Sequence, residues 1–131
     1  MITTSLVFVY GTLRQGGSNN FRMNRSRRIG SATVHGHLYK VSWYPCLVLD
    51  ENAGNVIGDL YEVSESGLAV LDDFEGSEYQ RVWTTIHHTT GEARSAWLWE
   101  WRKPTEGLQA ISCGDWLMFN HSITADDTPS G

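Results

Sequence analysis

Four carboxylates crowd the stretch 71–79, which reads Leu-Asp-Asp-Phe-Glu-Gly-Ser-Glu-Tyr. Asp72, Asp73 and Glu75 fall around the expected end of a helix, and Glu78 follows. A helix dipole disfavours negative charge at its C-terminal end, so the placement has a cost. A Glu packed beside Phe74 and Tyr79 would lose water. Its pKa would then rise towards the range that a general acid/base near neutrality needs. A solvent-facing acidic turn accounts for the same composition.

A second stretch offers backbone chemistry. Residues 10–17 read Tyr-Gly-Thr-Leu-Arg-Gln-Gly-Gly, directly after an apolar run. They contain neither Gly-Lys-Ser/Thr nor GxGxxG, so the common phosphate-loop patterns do not apply. A turn after a buried strand exposes N–H groups, and Gly11 lets another group approach them closely. A carboxylate or carbonyl oxygen would suit such donors. By itself the stretch reads as an ordinary strand-ending turn.

The five histidines are scattered at His35, His37, His87, His88 and His121. His35 and His37 share one face if they lie on a strand, but no Cys or carboxylate stands at ligand spacing, so no metal site is expected. Cys46 follows Pro45 in an apolar run and no GxSxG is present, so a protease-like nucleophile is not expected either. Cys46 and Cys113 form no CxxC pair and read as buried free thiols. That fits a reducing, cytoplasmic setting.

The elements that must hold these residues are mostly short strands. Residues 5–10, Ser-Leu-Val-Phe-Val-Tyr, are apolar and β-branched over a length that predicts a buried strand ending at Gly11. Residues 14–24 are polar and predict a loop or short irregular helix. Strands are predicted over 31–41, 46–49 and 56–63, with a turn at 50–55 between the last two. Gly58 inside the third predicts a bulge or a close backbone approach. Ser64 is a helix N-cap, and 65–74 form one short helix with Leu68, Leu71 and Phe74 among its apolar positions. Gly76 suits a left-handed position after it. Residues 81–88 and 95–101 predict a hairpin turned at Thr90-Gly91, with Trp97, Trp99 and Trp101 on one face. A last short element is expected over 114–119. Short strands close in sequence favour antiparallel pairing, and a small closed barrel would remove exposed edges. One domain is expected over residues 1–121, with 122–131, small and polar, a disordered tail.

Composition bounds the function. The chain has 131 residues, 40% apolar and 19% charged, ordinary for a soluble globular protein. The formal net charge of −5 argues against nucleic acid as a partner. Arg22, Arg25, Arg27 and Arg28 form a local basic cluster, read as a solvated face, with an anion or partner contact as the alternative. No signal peptide is expected from the N-terminal run, and no stretch reaches the roughly 20 apolar residues that span a bilayer. No membrane partner is expected.

Two stretches together carry a resemblance. Val9-Tyr10-Gly11-Thr12-Leu13-Arg14 resembles the opening signature of the gamma-glutamylcyclotransferase-like family, in its AIG2-like and gamma-glutamylamine cyclotransferase branches. Leu71-Asp72-Asp73-Phe74-Glu75-Gly76, followed by Tyr79-Gln80-Arg81, resembles the second signature. Tyr44-Pro45-Cys46-Leu47-Val48 and Gly58-Asp59-Leu60-Tyr61-Glu62-Val63 are similar to the connecting strands, so the resemblance spans about residues 6–120. Each motif is weak alone; their order and spacing together are specific.

The resemblance implies an α+β fold, a small antiparallel β-barrel with flanking short helices. It implies a metal-independent enzyme without an organic cofactor, acting on a small-molecule gamma-glutamyl amine or amide. The substrate's own α-amine attacks its γ-carbonyl carbon, releasing 5-oxoproline and a free amine. Glu75 matches the catalytic general acid/base. Tyr10, Gly11, Thr12 and Leu13 match the backbone cradle for the glutamyl part, and Tyr79 and Arg81 support the site. The family often carries a Tyr in its late strand, in a stretch like AxxYxY. Here 96–101 read Ala-Trp-Leu-Trp-Glu-Trp, so Trp99 or Trp101 replaces a phenolic hydroxyl by an indole N–H, a donor without an acceptor. The alternative is a non-catalytic small-molecule binding protein on the same scaffold.

Overall fold

The first strand, β1 (Thr4–Val9), is covered on both faces, which is why its residues are apolar without alternation. Phe8 points into one core with Val34, Leu60, Ile86 and Leu98. Val7 and Val9 point into a second core, with Val63, Leu68, Leu71 and Trp99. The structure, a computed structural model, describes residues 3–120; the expected tail at 122–131 lies outside the described residues.

The remaining strands are β2 (Arg27–Lys40), β3 (Pro45–Leu49), β4 (Asn55–Ser64), β5 (Tyr79–His88), β6 (Ala93–Trp101) and β7 (Gln109–Ala110). Strands β2, β4, β1, β6 and β5 follow one another around a barrel, and β5 returns to β2 at Ala32↔His88 and Thr33↔His87. The barrel is the expected one, with antiparallel neighbours except at one seam. There β1 and β6 run parallel, through Val7↔Trp97. Trp116, on a helical turn over residues 116–120, is 2% exposed and joins the inner core.

The long β2 differs most from expectation. It starts at Arg27 rather than Ser31, and its two halves take different partners. Residues 27–35 pair with β4, and Gly36–Lys40 pair with β3. The turn at 50–55 therefore joins strands that are not paired with each other. Their hydrogen bonds go to β2, which is long enough to serve both. Gly58 makes the close approach expected of it: a Cβ there would run into the Val9 carbonyl and the Phe8 ring.

Helix α1 (Glu65–Glu75) begins at Ser64, whose Oγ accepts the Gly67 N–H at 3.1 Å. Leu68 and Leu71 seat it on the outer face of β1 and β4. Gly76 ends it at φ 82° but ψ −176°, so the positive φ is as expected while the ψ is extended rather than left-handed helical. The basic cluster is exposed at all four arginines, as a solvated face would be, and two of them also make specific contacts. Arg28 pairs with Asp59 at 2.9 Å, and Arg22 stacks 4.2 Å from the centre of the Phe74 ring. Cys46 is buried and free, and burial pushes its thiol up to about 12. Cys113, expected to be buried, is exposed, because it lies in the turn between Ile111 and the last helical residues.

Candidate active site

A cavity of about 290 Å³ opens between the end of β1 and the end of α1. Tyr10, Gly11, Thr12, Leu13, Glu75 and Tyr79, apart in sequence, all line it. The structure also brings in Trp43, Tyr44, Pro45, Phe74, Glu78 and Trp99.

One wall is the turn after β1. The Arg14 N–H closes it on the Gly11 carbonyl at 3.1 Å. The Thr12 carbonyl accepts from the Asn19 N–H at 2.8 Å, and the Leu13 carbonyl from Asn20 Nδ2 at 2.9 Å. These carbonyls are thus taken up by the protein. A trans peptide points its N–H opposite its carbonyl. The N–H groups of Thr12 and Leu13 face the other way and make no hydrogen bond with the described residues. Gly11 is required by β3: a Cβ would stand 2.7 Å from Pro45 Cγ and 2.8 Å from its Cδ.

Behind the turn lies a buried charge network that the sequence reading missed. Asp59 is 2% exposed and accepts from the Gln15 N–H at 2.7 Å and from Arg28 at 2.9 Å. Arg14 donates to Asp115 at 2.9 Å, with its Nε 3.9 Å from Asp59. The available signal was Asp59 itself, an acid inside the apolar run of residues 56–63.

The opposite wall carries Glu75 at the last position of α1. Burial first, and then the charge of Asp72, push its carboxyl up from 4.5 to about 7. No hydrogen bond to the carboxylate works against them. Tyr10 and Tyr79 are both pushed above the usual phenol range, mainly by burial and in part by Glu75. Their hydroxyls already donate, Tyr10 to the Trp99 carbonyl and Tyr79 to the Pro45 carbonyl, each at 2.7 Å. Trp99 faces the cavity, while the Trp101 indole N–H turns to the Pro104 carbonyl at 3.4 Å. Among the described residues no group of three or more His, Cys, Asp or Glu is placed to hold a metal ion, and no helix is long and apolar enough to cross a membrane.

A carboxyl that exchanges its proton near neutrality thus stands across a small cavity from unpaired backbone donors. The family model described as gamma-glutamyl cyclotransferase, AIG2-like (GGACT) matches residues 7–118. The chain belongs to this family. It is 34% identical over 114 residues to the gamma-glutamylcyclotransferase family protein YtfP of Escherichia coli K12, covering 85% of this chain and 95% of that protein. It is 37% identical over 115 residues to a putative gamma-glutamylcyclotransferase of Vibrio cholerae, covering 85% and 94%. The crystal structure of YkqA from Bacillus subtilis matches with a TM-score of 0.79 at 27% identity, over 97% of this chain but only 44% of YkqA, which is more than twice as long as the matched part. The two stretches that resemble the family signatures, 9–14 and 71–76, supply the two facing walls of the cavity.

Proposed function

We propose that this AIG2-like gamma-glutamyl cyclotransferase family member acts on a gamma-glutamyl amine or amide and releases 5-oxoproline and a free amine. The observation that carries the proposal is the pairing across one cavity of Glu75, raised to about 7, with the unpaired N–H groups of Thr12 and Leu13.

In this reading the Gly11–Leu13 backbone receives the glutamyl part and orients it. An α-amine is mostly protonated at neutral pH and is then no nucleophile. The reacting form is the neutral amine, its ammonium proton already given up to solvent, and the Glu75 carboxylate takes the further proton that this nitrogen sheds as it bonds. The amine nitrogen bonds to the γ-carbonyl carbon, and the backbone donors stabilise the oxyanion that develops. The carbonyl re-forms, the bond to the departing nitrogen breaks, and Glu75 returns the proton to that nitrogen. Holding amine and carbonyl in contact supplies much of the rate advantage, because the attack is intramolecular. Tyr10 and Tyr79 line the substrate site and stay protonated throughout, since burial holds both hydroxyls above their usual range. Every proton step falls to Glu75, so no metal or organic cofactor is invoked. The catalytic unit is residues 1–121, acting in a cytoplasmic setting that keeps Cys46 and Cys113 reduced.

The test is incubation of purified protein with a panel of gamma-glutamyl amines and dipeptides, assayed for 5-oxoproline. Product from at least one substrate, lost in Glu75→Gln, is the expected result. No product across the panel, or full activity in Glu75→Gln, overturns it.

A further inference from the structure

The helix that carries Glu75 is attached to the barrel largely by apolar contact, through Leu68, Leu71 and Phe74. Such contacts are not directional and do not by themselves fix a helix in rotation. One residue of α1 is tied differently. Asp72 Oδ1 accepts the Trp99 indole N–H at 2.9 Å and lies 3.2 Å from Arg81 Nε. Apart from the Ser64 cap at the start of the helix, these are the side-chain hydrogen bonds and ion pairs among the described residues that join α1 to the barrel. Asp72 stands three positions before Glu75, on the same side of the helix. Its carbonyl also accepts the Gly76 N–H at 3.2 Å, closing the turn on which Glu75 sits.

We propose that Asp72, clamped between Trp99 and Arg81, is a positioning residue that sets where the Glu75 carboxyl stands and at what pH it gives up its proton. The role rests on the reading of Glu75 as the proton carrier. Trp99 makes the clamp continuous with the opposite wall. Its carbonyl accepts the Tyr10 hydroxyl at 2.7 Å, so hydrogen bonds run from the cradle through Trp99 to Asp72. An indole at position 99 thus supplies the donor that an acidic partner requires. Arg81 is held in place by its stack on Trp97, 4.5 Å from the ring centre.

The electrostatics follow from the same contacts. Around Glu75 stand Asp72 on its own helix, Glu78 and Tyr79 beyond it, Tyr10 from the cradle and Tyr44 beside β3, while Cys46 acts on the two tyrosines Tyr10 and Tyr79. Arg22 covers the Phe74 ring nearby. Asp72 is the charge that acts on Glu75 most, and Arg81 is the cation that offsets Asp72. The two predict opposite effects. Removing the Asp72 charge makes Glu75 the stronger acid, while removing the Arg81 charge makes it the weaker one. The Asp72 side chain is 38% exposed and shares a second, open cavity with Arg81, Glu65 and Trp97, so solvent damps both effects.

The experiment is a carbon-13 NMR titration of the Glu75 side-chain carboxyl in wild type, Asp72→Asn and Arg81→Met, with thermal melts as a check of folding. Asn keeps an oxygen for the Trp99 N–H. The expected midpoint moves roughly half a pH unit down in Asp72→Asn and a similar amount up in Arg81→Met. The acid limb of 5-oxoproline production moves with it. Midpoints unchanged in both variants, or moved in the same direction, overturn the proposal. If Asp72→Asn does not fold, the Arg81→Met midpoint decides alone: an upward move supports it and no move overturns it. The titration needs no turnover. A wild type that makes no 5-oxoproline sinks the cyclotransferase reading while the midpoints still judge the role of Asp72.

Discussion

The cradle wall and the helix wall of the cavity are built on different physics. Behind the cradle, Asp59, Arg14, Arg28 and Asp115 form ion pairs in which the Asp59 side chain is 3% exposed and the Arg14 side chain 10%. Among the described residues the helix wall has one ion pair to the barrel, Asp72 with Arg81, at 38% and 29% exposure. Charges paired with one another around a buried Asp59 fix a backbone turn, and fixed N–H donors are worth most when they need not reorganise. A proton carrier needs the opposite. A strong cation or donor on Glu75 would pull its pKa down and leave it permanently ionised. One wall is therefore held tightly and the other carries a carboxyl left without a partner.

The largest way to break this contrast is Glu75→Gln. Loss of a positioned acid/base lowers turnover about 10²–10⁴-fold, measured as 5-oxoproline formed per unit time. The pH dependence carries its own sign. If, as proposed, the carboxylate is the active base in wild type, activity rises with pH through about 7. Folded-state pKa above the unfolded value means that Glu75 favours folding fully below about 4.5, and that this is lost as pH rises through about 7. Melting curves of Glu75→Gln therefore lie above wild type at pH 8 and approach it at pH 4.5. A variant that is less stable at pH 8 contradicts the carboxyl's unpartnered state.

The second test compares the walls directly. Asp59→Ala strands Arg28, weakens the hold on Arg14 and leaves the Gln15 N–H unpaired, at a cost of about 3 kcal/mol in urea denaturation. Asp72→Ala removes a pair about one-third exposed and the acceptor of the Trp99 N–H, at a cost of about 1–2 kcal/mol. Equal costs would erase the distinction. The third, Gly11→Ala, strikes where the cradle meets β3. The proline ring 2.7 Å from the new methyl cannot swing aside, so the expected loss is about 1–3 kcal/mol, with a raised KM.

The barrel strands and α1 were legible because their signals are local. The apolar run of β1, the Ser64 cap and the Thr90-Gly91 turn each act within a few residues. The partners of β2 were not legible. Which strand fills each half of a fourteen-residue strand is settled by barrel closure, not by the turn at 50–55. Glu75 and Tyr10–Leu13, which line one cavity, were singled out through family resemblance, since alone each had an ordinary reading. Asp59 and Asp72 were passed over because their partners are distant in sequence: Arg28 for the first, Trp99 for the second. An acid's meaning depends on what the fold sets beside it, and spacing does not carry that information.

The smallest expected effect, from Tyr79→Phe, asks on which side of the contrast Tyr79 belongs. Its hydroxyl donates to the Pro45 carbonyl at 2.7 Å, and its ring meets Trp101 edge-on at 5.2 Å. Phenylalanine keeps the ring contact and loses the hydrogen bond, about 1 kcal/mol. Pro45 borders both Gly11 and the cavity, so a slackened Pro45 loosens substrate contact. If the hydroxyl serves the wall, KM rises a few-fold and kcat holds. The hydroxyl cannot act as a base in any event, since burial and the nearby Glu75 keep it protonated. A tenfold fall in kcat with unchanged stability and KM would instead mean that the hydroxyl touches the reacting atoms, and the helix wall would then hold two groups in the chemistry rather than one.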